Sequence, residues 1–344
     1  MDNGKNGRKI RRPPTIGDVA RLAGVSPTTV SFVLNDVGGT SVSERTRERI
    51  RRSIRDLGYR PNAAAKLLRA SRSDTIGFVT DEIASTPHAG GIIMGAQDAA
   101  WKHDKILMIV NTGHNREIEE FAIETMLERR VESVIYAAMF HRAVEPPKDL
   151  REVPTILLDC YSEDGQWASV VPDEVSGGRT ATEALLARGH ERVGFINLPP
   201  GFPATSGRLE GYRRALEARG LAFDVSLVRY GNGAASGGYQ HVLELMQTAK
   251  PPTAIFCGND QTAMGAYEAL KEIGLRIPQD VAVVGFDNEE IIAAQLRPPL
   301  STVALPHYEM GRWAVNHLIE HAGAEEVPPG RSVLPCVYVE RESV

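Results

Sequence analysis

The spacing of apolar side chains changes character near residue 74 of this 344-residue chain. Before that point it is helical and short. In TIGDVARLAGVSPTTVSFVLN (residues 15–35), Ile16, Val19, Ala20 and Ala23 fall on one helical face, and Val30, Val33 and Leu34 form the buried stripe of a second helix. Thr15 is placed to cap the first helix, with Asp18 three residues on, where a negative charge suits a helix start. Gly24 permits a tight turn, and Ser26 followed by Pro27 reads as an N-cap and first-turn proline. A third helix is predicted from Ser43, with Ile50, Ile54 and Leu57 inward and Gly58 as its stop.

Beyond Asp74 the pattern alternates. Short apolar runs at 76–79, 106–110, 134–139, 155–158, 193–196, 254–257 and 281–286 are separated by helix-length amphipathic segments. Those segments are 91–103, 116–129, 175–188, 208–219, 237–247 and 261–273, with a late helix over 307–321 and a final strand in CVYVE. Such strand–helix alternation predicts parallel sheets covered on both faces, and it occurs twice in series. The expected fold is therefore an all-α helix-turn-helix DNA-binding domain followed by an α/β two-lobed body.

Composition supports a folded protein of two or three compact units, with 42% hydrophobic and 24% charged residues. The three cysteines, Cys160, Cys257 and Cys336, are far apart and form no Cys-x-x-Cys pair, which argues against a disulfide framework or zinc ribbon. No metal site and no cofactor are expected. The N-terminal segment is basic without an apolar stretch, and no apolar run approaches the ~18 residues of a membrane span. A cytoplasmic protein is expected, without a membrane partner. Charge adds a sharper point. Residues 1–72 carry sixteen basic and six acidic side chains, a local net of +10, whereas the whole chain is −5 and the remainder therefore −15. A cationic head on an anionic body suits a head that neutralises phosphates.

The segments TIGDVARLAGVSPTTVSFVLN, VSERTRERI, LGYRPNAAAKLL and TIGFV together resemble the head, hinge and first body strand of the lactose-repressor (LacI/GalR) family, and the similarity continues to the C-terminus. The resemblance implies a periplasmic-binding-protein-like type I body in which the chain crosses between lobes three times. It divides the chain into a basic tail (1–13), a DNA-binding head (14–60), a hinge (61–73) and a body (74–344). The first lobe would take about 74–170 and 302–330, the second about 171–301 and 331–344. Thr15, Pro27, Thr28, Ser31 and Phe32 are the candidate DNA contacts of the head. The family commonly has Arg where Phe32 stands. Arginine can pair bidentately with guanine, whereas phenylalanine offers apolar contact, for instance to a thymine methyl.

The hinge run after Asn62 has good helix propensity but is far shorter than the ~12–15 residues an isolated helix needs. The resemblance makes it a helix formed on specific DNA, with Asn62, Ala65, Leu68 and Arg69 at the minor groove and Leu68 as the wedge between base steps.

In doubly wound sheets, ligands bind beyond the carboxyl ends of strands. Asp81, Asp159, Asn259 and Asp287 follow predicted strands, and Arg208 is read as opening a helix. By resemblance Arg208, Asn259 and Asp287 match effector-contacting positions, and Asp159 a less regular one. Ser85 and His88 lie on the first-lobe wall, where this chain lacks the family's usual aromatic. Gly233 stands where some sugar-responsive relatives carry tryptophan, which implies a roomier pocket. Acids and amides with one arginine suit the hydroxyls of a mono- or oligosaccharide.

The implied function is a homodimeric transcriptional regulator, by family default a repressor. It binds a near-palindromic double-stranded operator under control of that effector. A transport-type sugar-binding protein shares such a body but has no use for the head. An enzyme is the other alternative, and the chain carries no P-loop, nucleophile elbow, His-Glu-x-x-His or dinucleotide fingerprint.

Overall fold

The computed structural model describes residues 12–34, 42–60, 73–324 and 326–344. It divides into two compact units, Met1–Ser73 and Asp74–Val344. The hinge candidates Asn62, Ala65, Leu68 and Arg69, and the tail through residue 11, lie outside the described residues.

The first unit holds helices α1 (Ile16–Ala23), α2 (Pro27–Leu34) and α3 (Glu44–Leu57). Each starts and stops where its polar punctuation dictates. Thr15 and Asp18 form a reciprocal capping box: the Asp18 amide donates to Thr15 Oγ1 and the Thr15 amide to Asp18 Oδ2 at 2.9 Å. The Thr29 amide donates to Ser26 Oγ at 3.1 Å, ahead of Pro27 at the first position of α2. Ser43 caps α3, and Gly24 and Gly58 adopt left-handed φ of 63° and 62° where α1 and α3 end. Val19, Ala20, Ala23, Val30, Val33 and Ile50 form one small core, with Ile16, Leu34, Ile54 and Leu57 packed at its edge.

The second unit holds two six-stranded sheets. The first contains β1 (Thr75–Thr80), β2 (Ile106–Asn111), β3 (Ser133–Ala143), β4 (Thr155–Tyr161), β5 (Ala168–Pro172) and β11 (Gly330–Leu334), ordered β11-β5-β4-β3-β1-β2 and all parallel. The second contains β6 (Val193–Asn197), β7 (Val228–Tyr230), β8 (Ala254–Cys257), β9 (Ala282–Asp287), β10 (Ser301–Ala304) and β12 (Val337–Val339), ordered β12-β10-β9-β8-β6-β7 with only β12 antiparallel. Each sheet has an apolar core on both faces, which is why its strands read as apolar runs rather than alternations. The chain leaves one sheet for the other after β5, after β10 and after β11.

This exchange moves two lobe boundaries. β10 pairs with β9, so residues 302–304 belong to the second sheet, not the first. β11 pairs with β5, so 331–334 belong to the first sheet, not the second. β10 reads STVA and looks polar, yet Ser301 and Thr302 are fully buried. Their hydroxyls are satisfied internally: the Thr302 hydroxyl donates to Asp260 at 2.6 Å, and Ser301 Oγ accepts from the Arg341 amide at 2.9 Å.

The helices are α4 (Gly90–Trp101), α5 (Arg116–Glu128), α6 (Glu174–Ala187), α7 (Pro203–Ala218), α8 (Ala235–Met246), α9 (Asp260–Glu272), the short α10 (Glu290–Ala293) and α11 (His307–Glu320). Three helix pairs meet backbone to backbone through reciprocal glycines. A Cβ on Gly95 would overlap the Tyr308 carbonyl and one on Gly311 the Ile92 carbonyl; Gly178 and Gly211 join α6 to α7 in the same way, and Gly238 and Gly265 join α8 to α9. α7 begins five residues before the expected start at Arg208, because Pro203 occupies its first position, where a missing N–H and fixed φ cost nothing. Arg208 therefore sits inside the helix, on the face turned to α6.

Candidate functional site

Two surfaces carry chemistry, one in each unit. In the head, Pro27 and Thr28 are exposed at the start of α2, Phe32 is 37% exposed one turn on, and Ser31 is half-buried. Exposed arginines follow on α3, including Arg45, Arg49, Arg52 and Arg55. Thr15 is half-buried, and its hydroxyl is committed to the capping box with Asp18 at 2.7 Å. The helix pair thus presents an edge of small residues and one aromatic beside a cationic flank.

In the body, a cavity of about 340 Å³ lies between the carboxyl ends of the two sheets. Its polar floor includes His88, His141, Asp159, Glu174, Arg208, Asn259 and Asp287, and its apolar wall includes Met139, Phe140, Leu198, Pro199, Phe202 and Leu305. The close approach of α6 and α7 at Gly178 and Gly211 brings Glu174 to Arg208. Arg208 Nε donates to Glu174 Oε2 at 2.8 Å, and Nη1 donates to the Gly258 carbonyl. The same guanidinium lies 3.6 Å from Asp287 Oδ1 and 3.7 Å from the centroid of Phe286. His88 Nδ1 is 3.9 Å from Asp287 Oδ2, and the His88 ring meets His307 edge-on at 5.1 Å. On the other side His141 Nδ1 is 3.8 Å from Glu174 Oε1. Asp159, inside β4, and Asp287, the last residue of β9, have φ of 54° and 109°, conformations that cost free energy and cluster at functional sites.

Several buried polar atoms have no hydrogen-bond partner among the described residues: Asp159 Oδ1, both ring nitrogens of His141, and His307 Nε2. Buried polar groups are ordinarily paired; of these residues Asp159 and His141 line the cavity, and His307 lies behind His88.

The electrostatics are balanced. Burial alone would raise the Glu174 pKa, but Arg208 and then His141 hold it below the ordinary carboxylate value, so it is the anion that matches the arginine. Burial, reinforced by Glu174, pushes Asp159 well above its ordinary value. Burial likewise carries Asp287 up to about 8 despite the opposing Arg208 charge. His88 is lowered by burial and stays neutral. The cleft thus holds one buried ion pair, while burial pushes Asp159 and Asp287 toward the protonated form, which donates as well as accepts.

A raised acid pKa means that the folded state keeps a proton the unfolded chain gives up near 3.9. The contribution of Asp287 is therefore fully present below that value and is lost as pH rises through 8. Asp287→Asn should flatten this decline: the variant gains on the parent between pH 5 and pH 8, read from urea midpoints at each pH.

Five of the seven expected effector residues line the cavity: His88, Asp159, Arg208, Asn259 and Asp287. Asn259 spends its side chain locally, Oδ1 accepting from the Thr262 amide and Nδ2 donating to the Gly233 carbonyl, both at 2.8 Å. Gly233 itself lines the cavity at φ 76°, a backbone state that a tryptophan would not adopt easily. Asp81 and Ser85 do not reach it. Asp81 accepts from the Met139 amide at 2.8 Å and from Arg142 Nη2 at 2.9 Å, pinning β1 to β3. Ser85 is exposed and donates to the Glu82 carbonyl at 2.9 Å.

Glu174, His141, Phe140 and Phe202 escaped the sequence reading. Phe140 and His141 follow the apolar run of β3, where the pairing register to β4 shifts between Ala137 and Arg142, a strand irregularity that re-aims side chains. The strand-end rule, extended past Met139, would have found both. Glu174 reads as an ordinary first-turn acid, and only the α6–α7 contact gives it a role. Phe140 and Phe202 meet at 6.4 Å across the two lobes, partly exposed at the cavity rim.

Residues 15–62 match the model of the lacI family of bacterial regulatory proteins, and residues 182–344 match the periplasmic binding protein-like domain. The chain is 31% identical over 333 residues to the ribose operon repressor of Escherichia coli strain K12, covering 96% of this chain and 99% of that protein. It is 34% identical over 343 residues to the HTH-type transcriptional regulator CelR of Thermobifida fusca, covering 97% and 99%. Among solved structures, the lac repressor dimer bound to operator and the anti-inducer ONPF is similar at 28% identity and a TM-score of 0.78, covering 96% of this chain and 99% of that one. The complex of the regulator CelR with cellobiose is similar at 32% identity and a TM-score of 0.67, covering 96% and 100%. With relatives matched from end to end and both domain models satisfied, the chain belongs to the LacI family of bacterial transcriptional regulators.

Proposed function

We propose that this regulator is a repressor that binds a near-palindromic operator as a homodimer. A neutral mono- or oligosaccharide held between the lobes changes its operator affinity. The observation that carries the effector reading is the make-up of the cleft: one buried ion pair, two buried carboxyls that burial pushes toward the protonated form, the unpartnered ring nitrogens of His141 and an aromatic rim. An anionic ligand would meet the Glu174 carboxylate without a spare cation, whereas hydroxyls can pair with every group present. Aromatic faces at the rim suit the apolar face of a sugar ring. The relatives support the class, since CelR was solved with cellobiose and another relative is a ribose operon repressor.

A second copy of the chain is supported by apolar side chains on the helices flanking edge strand β2: Met94 and Trp101 of α4, and Ile118 and Phe121 of α5, with Trp101 75% exposed. A two-fold protein reads two-fold DNA. Asn62, Ala65, Leu68 and Arg69 complete the DNA contacts in this reading. Among the described residues no helix is long and apolar enough to cross a membrane, and a cytoplasmic site of action on the nucleoid fits a DNA ligand.

A thermal-shift screen of mono- and oligosaccharides tests the effector assignment. At least one should raise the melting temperature of the parent and not of Asp287→Ala; equal shifts for both would place the ligand elsewhere. Phe32 is tested by selecting bound duplexes from a random pool. Phe32→Arg should move the preferred base at one position of each half-site to guanine, a discrimination of about 1–3 kcal/mol. Identical selected sites would remove Phe32 from the reading edge.

A further inference from the structure

The last turn of α11 carries a cluster that lies apart from the cleft and that the family assignment does not use. His317 and Glu320 lie in that turn and His321 ends the helix. Positions one turn apart share a face, and the His317 and His321 rings stand 4.5 Å apart. One donor atom from each of His317, Glu320 and His321 falls within 4.8 Å of the other two. Two imidazoles at this helical spacing, with a carboxylate beside them, are a donor set for zinc and its neighbours in the first transition row.

Two further contacts prepare the rings. His321 Nδ1 lies 2.9 Å from the His317 carbonyl oxygen. A carbonyl oxygen only accepts, so that nitrogen carries the proton and Nε2 keeps its lone pair free. Such a hydrogen bond behind a ligating ring is the usual device that fixes its tautomer and orientation. His317 is held from the other side by Trp313, stacked at 4.4 Å with the ring planes 17° apart. Glu320, 68% exposed at its side chain and 3.6 Å from His317 Nδ1, is free to swing onto an ion. His317 and Glu320 also border a groove of about 490 Å³ whose other wall includes the interlobe crossovers at Leu305–Pro306 and Leu334–Pro335, a space large enough to admit water or a further ligand atom beside them.

We propose that His317, Glu320 and His321 form a binding site for one divalent transition-metal ion of the zinc, nickel and copper class. Two imidazoles and one carboxylate supply the ligands, and the remaining positions are open to solvent.

Trp313 supplies the readout, because a paramagnetic ion bound to the ring stacked on it should quench its fluorescence. The experiment titrates nickel into the untagged full chain. The expected result is saturable quenching in the micromolar range at one ion per chain, reversed by zinc, which competes without quenching. Trp313→Phe should lose the quench and keep the binding by calorimetry. His317→Ala and His321→Ala should each weaken binding at least about tenfold, the lower end of what even outer partners of a metal site cost. Together they should abolish it, while circular dichroism and the melting temperature stay unchanged. The proposal is overturned if quenching does not saturate below millimolar nickel, or if the double variant binds nickel as tightly as the parent.

Discussion

Arg208→Met should lower the stability of the body by roughly 3–5 kcal/mol, the usual cost of leaving one partner of a buried ion pair without the other. Arg208 is 3% exposed and Glu174 5%, and the guanidinium also holds the Gly258 carbonyl and stacks on Phe286. Its loss strands the Glu174 carboxylate in a site that burial already penalises. The diagnostic is the double variant. Glu174→Gln with Arg208→Met removes both charges, so its urea midpoint should recover a large part of the loss and show strong non-additivity. Additive losses would mean that the pair is not coupled. Both variants should fail to bind the saccharide found by thermal shift if, as proposed, the ligand sits in the cavity that these side chains line.

The second large effect comes from a single methyl group. At Gly211 a Cβ would overlap the Val175 carbonyl oxygen and the Arg179 amide nitrogen, backbone atoms that cannot swing aside. Alanine in a helix interior gains about 0.5–1 kcal/mol over glycine, while overpacking a tight contact costs about 1–3 kcal/mol or more. The clash wins, so Gly211→Ala should destabilise the body by about 2 kcal/mol and spread α6 from α7. That spread separates Glu174 from Arg208, so saccharide binding should weaken with stability. Gly90→Ala is the control: nothing lies within 4 Å of a Cβ there, and φ is not in the left-handed region. It should be neutral or slightly stabilising in the same melts, and an equal loss would remove the packing explanation.

These two residues also mark what the sequence could and could not disclose. Val193, Phe195 and Ile196, or Val283, Val284 and Phe286, lie in strands buried on both faces, so a bare apolar run identifies them. The head was readable because its caps are local: Thr15 with Asp18, Ser26 with Thr29, and Gly58 act within four residues. β10 was not readable as a buried strand, because its Thr302 and Ser301 hydroxyls are satisfied by Asp260 and by the Arg341 amide, some forty residues away.

The cleft divides along the same line. Asp159, near the carboxyl end of β4, and Asp287, the last residue of β9, both line the cavity, as the strand-end rule expects. Asp81 also follows a strand, but the Met139 amide and Arg142, about sixty residues on, claim its carboxylate for structure. Glu174 gains its role only because Gly178 and Gly211 let two helices touch, and no local spacing announces that contact. The family resemblance located Arg208, Asn259 and Asp287; the structure added the partner that keeps Arg208 charged and buried.

In the proposed function the cleft and the DNA-reading head are linked in free energy. This link is tested most directly by measuring operator affinity by anisotropy at one fixed salt concentration, with the duplex recovered by selection, in the absence and presence of a saturating saccharide hit. Coupling between sites typically amounts to about 1–3 kcal/mol, so the expected result is a change in Kd of roughly 5–150-fold that Asp287→Ala abolishes. An affinity that is the same with and without the saccharide would contradict it.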